Sequence, residues 1–406
     1  MGMKDKQIEK LIKAEEGRQK EMISLIASEN YVSADVLTAL GSKFTNKYSE
    51  GYPGHRYYKG QMFTDKVEEL CKERALKLFK LDSAKWGVNV QALSGSPANL
   101  AVYLALVPQG GKVMGMSLDH GGHLTHGHKV SATGKIWTQV PYGVDAKTEV
   151  LDYEAIKKLA IENKPNMIIA GYTAYPRIVD FKKFRDIADA CPNIDSNGRG
   201  CGAILMVDMS HFAGLVAGGV YPSPFEYADV VTTTVHKTLR GPRSALIFAR
   251  KDKTQTSAKG NQISFDTLID KAVFPGLQGG PHMNQIAAVA VALKEAASPE
   301  FKKYAKQVVK NAKVFSDELK KLGWKIISGG TDTHLILVDT GKISGSEASD
   351  RLEKEGIIVN KNTIPNETRS PMDPSGIRLG TAGETTRGAK EKDMIKLAKR
   401  IDQALR

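Results

Sequence analysis

The feature that most constrains this chain is an alternation. Between residues 36 and 281, stretches with apolar residues at helical spacing are separated by short β-rich runs at 113–116, 167–170, 204–207, 230–235 and 245–249. Strands that alternate with helices are joined by crossovers and pair in parallel, so the pattern predicts an α/β domain with a mostly parallel central sheet. Ahead of it, residues 4–26 place Ile8, Leu11 and Ile12 on one face among Lys and Glu, the mark of an amphipathic N-terminal helix that packs on something else. Behind it come a helical run at 286–297, an amphipathic helix at 301–322 and a strand at 334–338, which fit a smaller α+β domain. The chain is long enough, at 406 residues, for this division: an arm at 1–35, a large domain at 36–282 and a small domain at 283–406.

Composition removes other classes. Apolar residues make up 41% and charged residues 25%, the balance of a folded globular chain, so disorder and rod-like repeats are excluded. No apolar run approaches the about 18 residues of a membrane span. The start has no hydrophobic segment of a signal peptide, so a cytosolic location is expected. Cys71, Cys191 and Cys201 are an odd number without C-x-x-C spacing, which argues against a disulfide framework or a zinc ribbon. The net charge of +13 is dispersed, with no block of five like charges, so no dedicated nucleic-acid patch is expected.

Chemistry is expected where strands end, because open α/β sheets bind ligands at the carboxyl ends of their strands. Asp208 closes the run 203–207, and Lys237 follows the run 230–235 just before Gly241-Pro242. A lysine between an apolar strand and such a turn can be desolvated and form an imine, and pyridoxal phosphate needs that imine plus an acid at its ring nitrogen. By spacing alone, a solvated surface lysine fits as well. Ser94-Gly95-Ser96, ahead of a helix at 98–106, suits a phosphate at a helix N-terminus or an ordinary cap. His120, His123, His126 and His128 form a loop cluster that admits a metal site, an imidazole over a cofactor ring, or no role; their spacing is not that of a zinc motif, and no metal is assigned. Glu50, among tyrosines at 48–58, suits proton transfer or a plain turn. Arg378 suits a carboxylate clamp or a structural ion pair.

Taken in order, residues 25–30 (LIASEN), 48–58, 121–127 (GGHLTHG), 207–208, 232–243 and 276–281 (GLQGGP) resemble the serine hydroxymethyltransferase family over nearly the whole chain. The resemblance implies a fold-type I pyridoxal phosphate enzyme, with the large domain binding the cofactor. It implies reversible transfer of the serine hydroxymethyl carbon to tetrahydrofolate, giving glycine and 5,10-methylenetetrahydrofolate. It further implies that Lys237 holds the cofactor, Asp208 pairs with its ring nitrogen and His123 stacks on the ring. Thr234 and His236 assist exchange at Lys237, while Thr173 and His211 lie near the phenolic oxygen. Ser94, Gly95 and Ser96 hold the phosphate, helped by Tyr48, Gly279 and Gly280 of a partner subunit, so a homodimer with shared sites is expected. Ser28, Tyr58 and Arg378 bind the amino acid, Glu50 moves a proton near the substrate hydroxyl, and Leu118, Gly122, Leu124 and Asn362 line the folate site with Glu50.

Several positions depart from the family pattern: Thr173 for Ser, Val235 within the Thr run, residues 59–62 for a Gly-Gly segment ending in an acid, Asn284 for His, Ala382-Gly383 for Pro-Ala, and an insertion at 191–202. Met62 and Ala382 lie close in sequence to site loops and leave tetrahydromethanopterin as an alternative carrier. A folate-independent β-hydroxy amino acid aldolase and, from the charge, a nucleic-acid-binding protein are the competing readings.

Overall fold

The structure is a computed structural model and describes residues 3–193, 202–257 and 259–406. Seven strands form the central sheet: β1 (Trp86–Asn89), β2 (Lys112–Met116), β3 (Thr138–Tyr142), β4 (Met167–Gly171), β5 (Ile204–Asp208), β6 (Val230–Thr234) and β7 (Ala245–Arg250). Their order is β1-β7-β6-β5-β4-β2-β3. All neighbours pair in parallel except β7, which runs against β6 on one side and β1 on the other. The mostly parallel sheet expected from the alternation is therefore what forms.

Every residue of β4 and β6 is buried, as in a sheet covered on both faces. Successive side chains go to opposite sides: Ile168, Ala170, Leu205, Val207 and Val231 join one core, and Met167, Ile169, Met206 and Val230 join the other. The five runs read from sequence are all strands of this sheet. The two that were missed, β1 and β3, are its edges. An edge strand is relieved of part of the demand for apolar side chains and can carry proline, and Thr138-Gln139-Val140-Pro141-Tyr142 does both.

Four further strands, β8 (Lys325–Ile326), β9 (Leu335–Asp339), β10 (Asn360–Asn362) and β11 (Gly376–Gly380), make an antiparallel sheet in the order β8-β9-β11-β10. Helix α1 (Lys6–Glu21) starts at the capping Asp5 and has no buried residue; Ile8, Leu11 and Ile12 stay exposed, so its apolar face is not covered by the described residues. Helix α2 (Gly95–Leu106) begins three residues earlier than its apolar spacing suggests, which puts Gly95 and Ser96 in its first turn. Helix α3 (Met283–Ala296) packs into the core of the large sheet. Helix α4 (Pro299–Lys321) spans both units, with Phe301, Ala305 and Val308 in that core and Phe315 and Leu319 in the core of the small sheet. Of the insertion at 191–202, residues 194–201 lie outside the described residues, as does Cys201; Cys71 and Cys191 are free and buried.

The loop after β5 is held from behind by aromatic packing. Phe212 is fully buried, with its ring 5.1 Å from that of Tyr172, 6.0 Å from Phe181 and 4.5 Å from Tyr221. Phe212→Ala is expected to cost about 3 to 5 kcal/mol in urea unfolding. A loss below about 1 kcal/mol would show that this layer is not what supports the loop.

Candidate active site

β5 and β6 end side by side, with Asp208 in register with Thr232, and this brings the two strand-end residues together. The Lys237 side chain is buried in the turn that follows β6, and its carbonyl is tied down by the Asn30 amide at 2.9 Å. Burial pushes its amine from the usual 10.5 down to about 8; Asp208 pulls the other way, while Arg378 and Arg243 add to the depression. The lysine thus has the partly neutral amine that imine chemistry requires.

Asp208 is equally buried. Burial alone would raise its carboxyl, yet the hydrogen bond from His126 and the proximity of His126 and His123 hold it well below the usual carboxylate range. Asn99 Nδ2 donates to its Oδ2 at 2.9 Å, His126 Nε2 lies 3.2 Å from the same oxygen, and the Ser210 amide donates to Oδ1 at 3.1 Å. Asn99 is in turn oriented by the Thr232 hydroxyl at 2.8 Å and also donates to Thr125 at 2.9 Å. The four loop histidines go to separate partners: His120 accepts from the Val144 amide, His123 contacts Thr125, His126 contacts Asp208, and His128 accepts from the Val130 amide. Burial, and then the neighbouring His126, lower His123 to about 4, so its ring is neutral near pH 7.

Ser94 is the N-cap of α2 but its side chain makes no cap hydrogen bond. A Cβ on Gly95 would come within 2.8 Å of Thr234 Cγ2, so only glycine lets the helix start this close to β6. Thr234 itself is anchored through its amide to Ser210 Oγ at 3.0 Å. His236 has a buried Nδ1 without a partner among the described residues, and burial lowers its ring to about 3. It borders a cavity of about 340 Å³ that Ser28, Asn30 and Arg243 also line.

Arg378, on β11, is 6% exposed and makes no ion pair among the described residues. Its Nε donates to Asn360 at 3.1 Å and its Nη1 to the Thr173 carbonyl at 2.8 Å. Burial lowers it to about 10. A buried guanidinium held by neutral groups has a charge still to be matched, which suits a substrate carboxylate. His211 is buried behind Lys237, with its ring nitrogen 3.3 Å from His334.

The remaining residues form a second group. The Tyr58 hydroxyl donates to Glu50 at 3.1 Å, the rings of Tyr48 and Tyr58 meet edge to face at 5.6 Å, and the backbone at Gly279 and Gly280 passes beside Glu50 and Tyr48. Among the described residues, no hydrogen bond or ion pair joins this group to Lys237, Asp208, His123 or Arg378. Of the expected folate residues, Gly122 is pressed against the Met116 carbonyl, where a Cβ would not fit. Leu118 is half-buried, Leu124 is exposed, and the Asn362 amide turns back onto the Thr363 carbonyl at 2.7 Å.

Sequence reasoning missed Asn99, Thr125, Ser210, His334 and Asn360, and gave His126 no role. Thr125 and His126, inside the GGHLTHG loop, carried a visible signal; the others are single polar residues with partners from distant segments.

These observations fit the cofactor that the sequence suggested. A desolvated amine, a carboxylate kept ionised beside it, an idle serine and a glycine at a helix start, and an uncompensated guanidinium are the donor set for an aromatic aldehyde phosphate and an amino acid. With the α/β sheet, they define a pyridoxal phosphate enzyme of fold type I. The chain belongs to the serine hydroxymethyltransferase family, whose model matches residues 1–401. It is 51% identical over 403 residues to a serine hydroxymethyltransferase from Desulfotalea psychrophila, covering 99% of this chain and 88% of the relative. It is 49% identical over 412 residues to a mitochondrial serine hydroxymethyltransferase from Eremothecium gossypii (99% and 81% covered). It is also 49% identical over 411 residues to a probable cytosolic one from Schizosaccharomyces pombe (99% and 85% covered).

The depressed Lys237 amine has a cost that can be read. Below about pH 8 the folded apoprotein holds a buried ammonium that the unfolded chain would solvate; the penalty fades between about 8 and 10.5 and is absent above. The cofactor-free Lys237→Met variant is therefore expected to exceed the cofactor-free parent in stability by about 1 to 3 kcal/mol at pH 7, with the gap closing toward pH 10.5. A gap independent of pH in denaturant unfolding would contradict the burial argument.

Proposed function

We propose that this enzyme works at sites each assembled from two subunits. Its reaction is the reversible transfer of the serine hydroxymethyl carbon to tetrahydrofolate, giving glycine and 5,10-methylenetetrahydrofolate. Family membership selects that reaction over the aldolase, modified-pterin and nucleic-acid readings. When bound, pyridoxal phosphate supplies an electron sink for the pair left at Cα as the Cα–Cβ bond of serine breaks.

In our reading Lys237 holds the cofactor and Asp208 keeps its ring nitrogen protonated, which a permanently ionised carboxylate can do. His123 lies over the ring as a neutral imidazole. Ser94, Gly95 and Ser96 at the start of α2 take the phosphate, and Thr173 and His211 face the phenolic oxygen. Thr234 and His236 would flank the lysine that holds the cofactor. Arg378 clamps the substrate carboxylate with Ser28, which aligns the bond to be broken. Glu50, carried with Tyr58, handles the proton of the substrate hydroxyl, and Leu118, Gly122, Leu124 and Asn362 receive the folate. Tyr48, Glu50, Tyr58, Gly279 and Gly280 act from the partner subunit.

One observation carries the shared site: Tyr48, Glu50 and Tyr58 cluster with Gly279 and Gly280 and, among the described residues, share no hydrogen bond or ion pair with the lysine group of their own chain. Two features support the same assembly. Tyr48, Met62 and Phe63 are 61%, 65% and 65% exposed beside that cluster, and the apolar face of α1 is uncovered. An isologous contact would bury both and complete two sites at once. We divide the chain accordingly into the arm 1–35, the cofactor domain 36–282 and the small domain 283–406, with α3 packed back on the large core. Among the described residues no helix is long and apolar enough to cross a membrane, and a cytosolic location is our reading.

Subunit mixing tests the shared site. Lys237→Ala and Glu50→Ala homodimers are each expected to be inactive. Unfolded together and reassembled, they form about half hybrids, each with one intact site, so about a quarter of parental activity should return. A mixture as inactive as its components would place Glu50 and Lys237 in the same chain's site.

A further inference from the structure

A residue that the sequence left without a role lies directly against one that it selected. His334 Nε2 is 3.3 Å from His211 Nδ1, with the ring planes 26° apart, and both residues are buried. His211 stands three residues beyond Asp208, in the loop after β5. His334 immediately precedes β9, whose neighbour β11 carries Arg378. The contact thus links the segment bearing the cofactor's acid to the sheet bearing the carboxylate clamp.

Two neutral imidazoles can meet nitrogen to nitrogen only if one atom carries the proton and the other the lone pair, so the tautomer of each ring sets that of the other. Neither ring escapes by taking up a second proton. Burial, and then the charges of Lys237 and Arg378, press His211 well below the ordinary imidazole range; His334 and His123 add to this. Burial, Arg378 and Lys237 bring His334 to about 3, against a small opposing pull from the Ala27 carbonyl.

His334 is fixed by contacts that do not involve His211. In the loop after β4, Arg177 pairs with Asp332 at 3.2 Å and donates to the Ser328 hydroxyl at 3.1 Å. The Asp332 amide donates to the Pro176 carbonyl at 2.9 Å, and the Thr331 hydroxyl reaches the same carbonyl at 3.2 Å. On the other side, the Thr381 amide and hydroxyl donate to the His334 carbonyl at 2.9 and 3.3 Å. A backbone clamped on both sides and a fully buried ring hold His334 against His211; its Nδ1 has no hydrogen-bond partner among the described residues, so the contact with His211 is the ring's one hydrogen bond there.

We propose that His334 is a positioning residue for the reaction: it holds His211 in a single tautomer and ring plane, so that the far nitrogen, Nε2, offers the cofactor site one fixed hydrogen-bonding role. The role of that nitrogen rests on the placement of His211 given above; the tautomer lock does not. The small domain thereby sets the hydrogen bonding of a large-domain side chain, through a contact beside the cofactor and not through Arg378 alone.

The test is nitrogen NMR of the ¹⁵N-histidine-labelled holoenzyme, with His211 assigned by substitution, from about pH 6 to about pH 9. In the parent, His211 is expected to show one protonated and one bare nitrogen, unchanged across that range. His334→Gln, whose amide reaches the same nitrogen, should preserve this pattern. His334→Phe should give shifts averaged between tautomers, and kcat for serine should fall by about tenfold or more while KM stays within about threefold, since Arg378 is untouched. A mixture of tautomers already present in the parent, or a Phe variant whose His211 signals match the parent, would overturn the proposal. If the Phe variant does not fold, Asp332→Asn decides: freeing the backbone from Arg177 should lower the fraction of the major tautomer, and an unchanged fraction counts against the lock. Absence of cofactor absorbance in the parent would count against the site reading instead, and would leave the tautomers measurable.

Discussion

Asp208 is a carboxylate kept out of water, and such a group stays charged only when donors replace its hydration. Asn99, His126 and the Ser210 amide do so from three different segments: helix α2, the histidine loop, and the turn after β5 itself. Each donor has its own support, as Thr232 orients Asn99 and the Ser210 hydroxyl receives the Thr234 amide. Removing the order of any one segment leaves the buried anion short of one of its three donors. The packing of α2 on the sheet, the course of the histidine loop and the pairing of β5 with β6 are therefore coupled through one side chain.

That anion makes the buried ammonium of Lys237 tolerable and useful. Lys237 is depressed by burial but drawn back by Asp208, which leaves its amine near the pH at which it must be both available and exchangeable. Arg378 receives no such relief: its guanidinium is held by an amide and a carbonyl, with no ion pair among the described residues. Stability is given up at the site in return for electrostatics set in advance, the usual economy of a preorganised active site. Arg378 comes from the small sheet and Asp208 from the large one, so the geometry of the reaction depends on how the two units are joined. α4, threaded through both cores, and the Arg177 contacts with Ser328 and Asp332 provide that junction.

Much of this was legible in the sequence. The five central strands announced themselves because burial on both faces demands runs of apolar and β-branched residues. The edge strands β1 and β3 did not, since Pro141 in β3 and Gly87 and Asn89 in β1 interrupt such runs; Asn89 is buried but hydrogen-bonded to Tyr52 and Asp270. Asp208 and Lys237 were visible as polar residues ending apolar runs, and Ser94 to Ser96 as a small polar step before a helix. Asn99, Ser210, His334 and Asn360 gave no such signal, because an isolated asparagine or histidine acquires a role only from what folds against it. The exposed stripe of α1 was readable as amphipathic, and the structure adds that none of the described residues covers it.

By itself, then, the sequence determined the alternating architecture, the candidates for the chemistry and the family, because apolar periodicity and strand-end residues are local properties. Only the tertiary structure decided that Asp208 remains an anion, that Lys237 is desolvated, that Arg378 has no ion pair among the described residues and that His211 meets His334. Each of these is a statement about dielectric surroundings and about distances between residues far apart in the chain. It also decided that Glu50 and Tyr48 cluster with Tyr58, Gly279 and Gly280, which no spacing along one sequence can express.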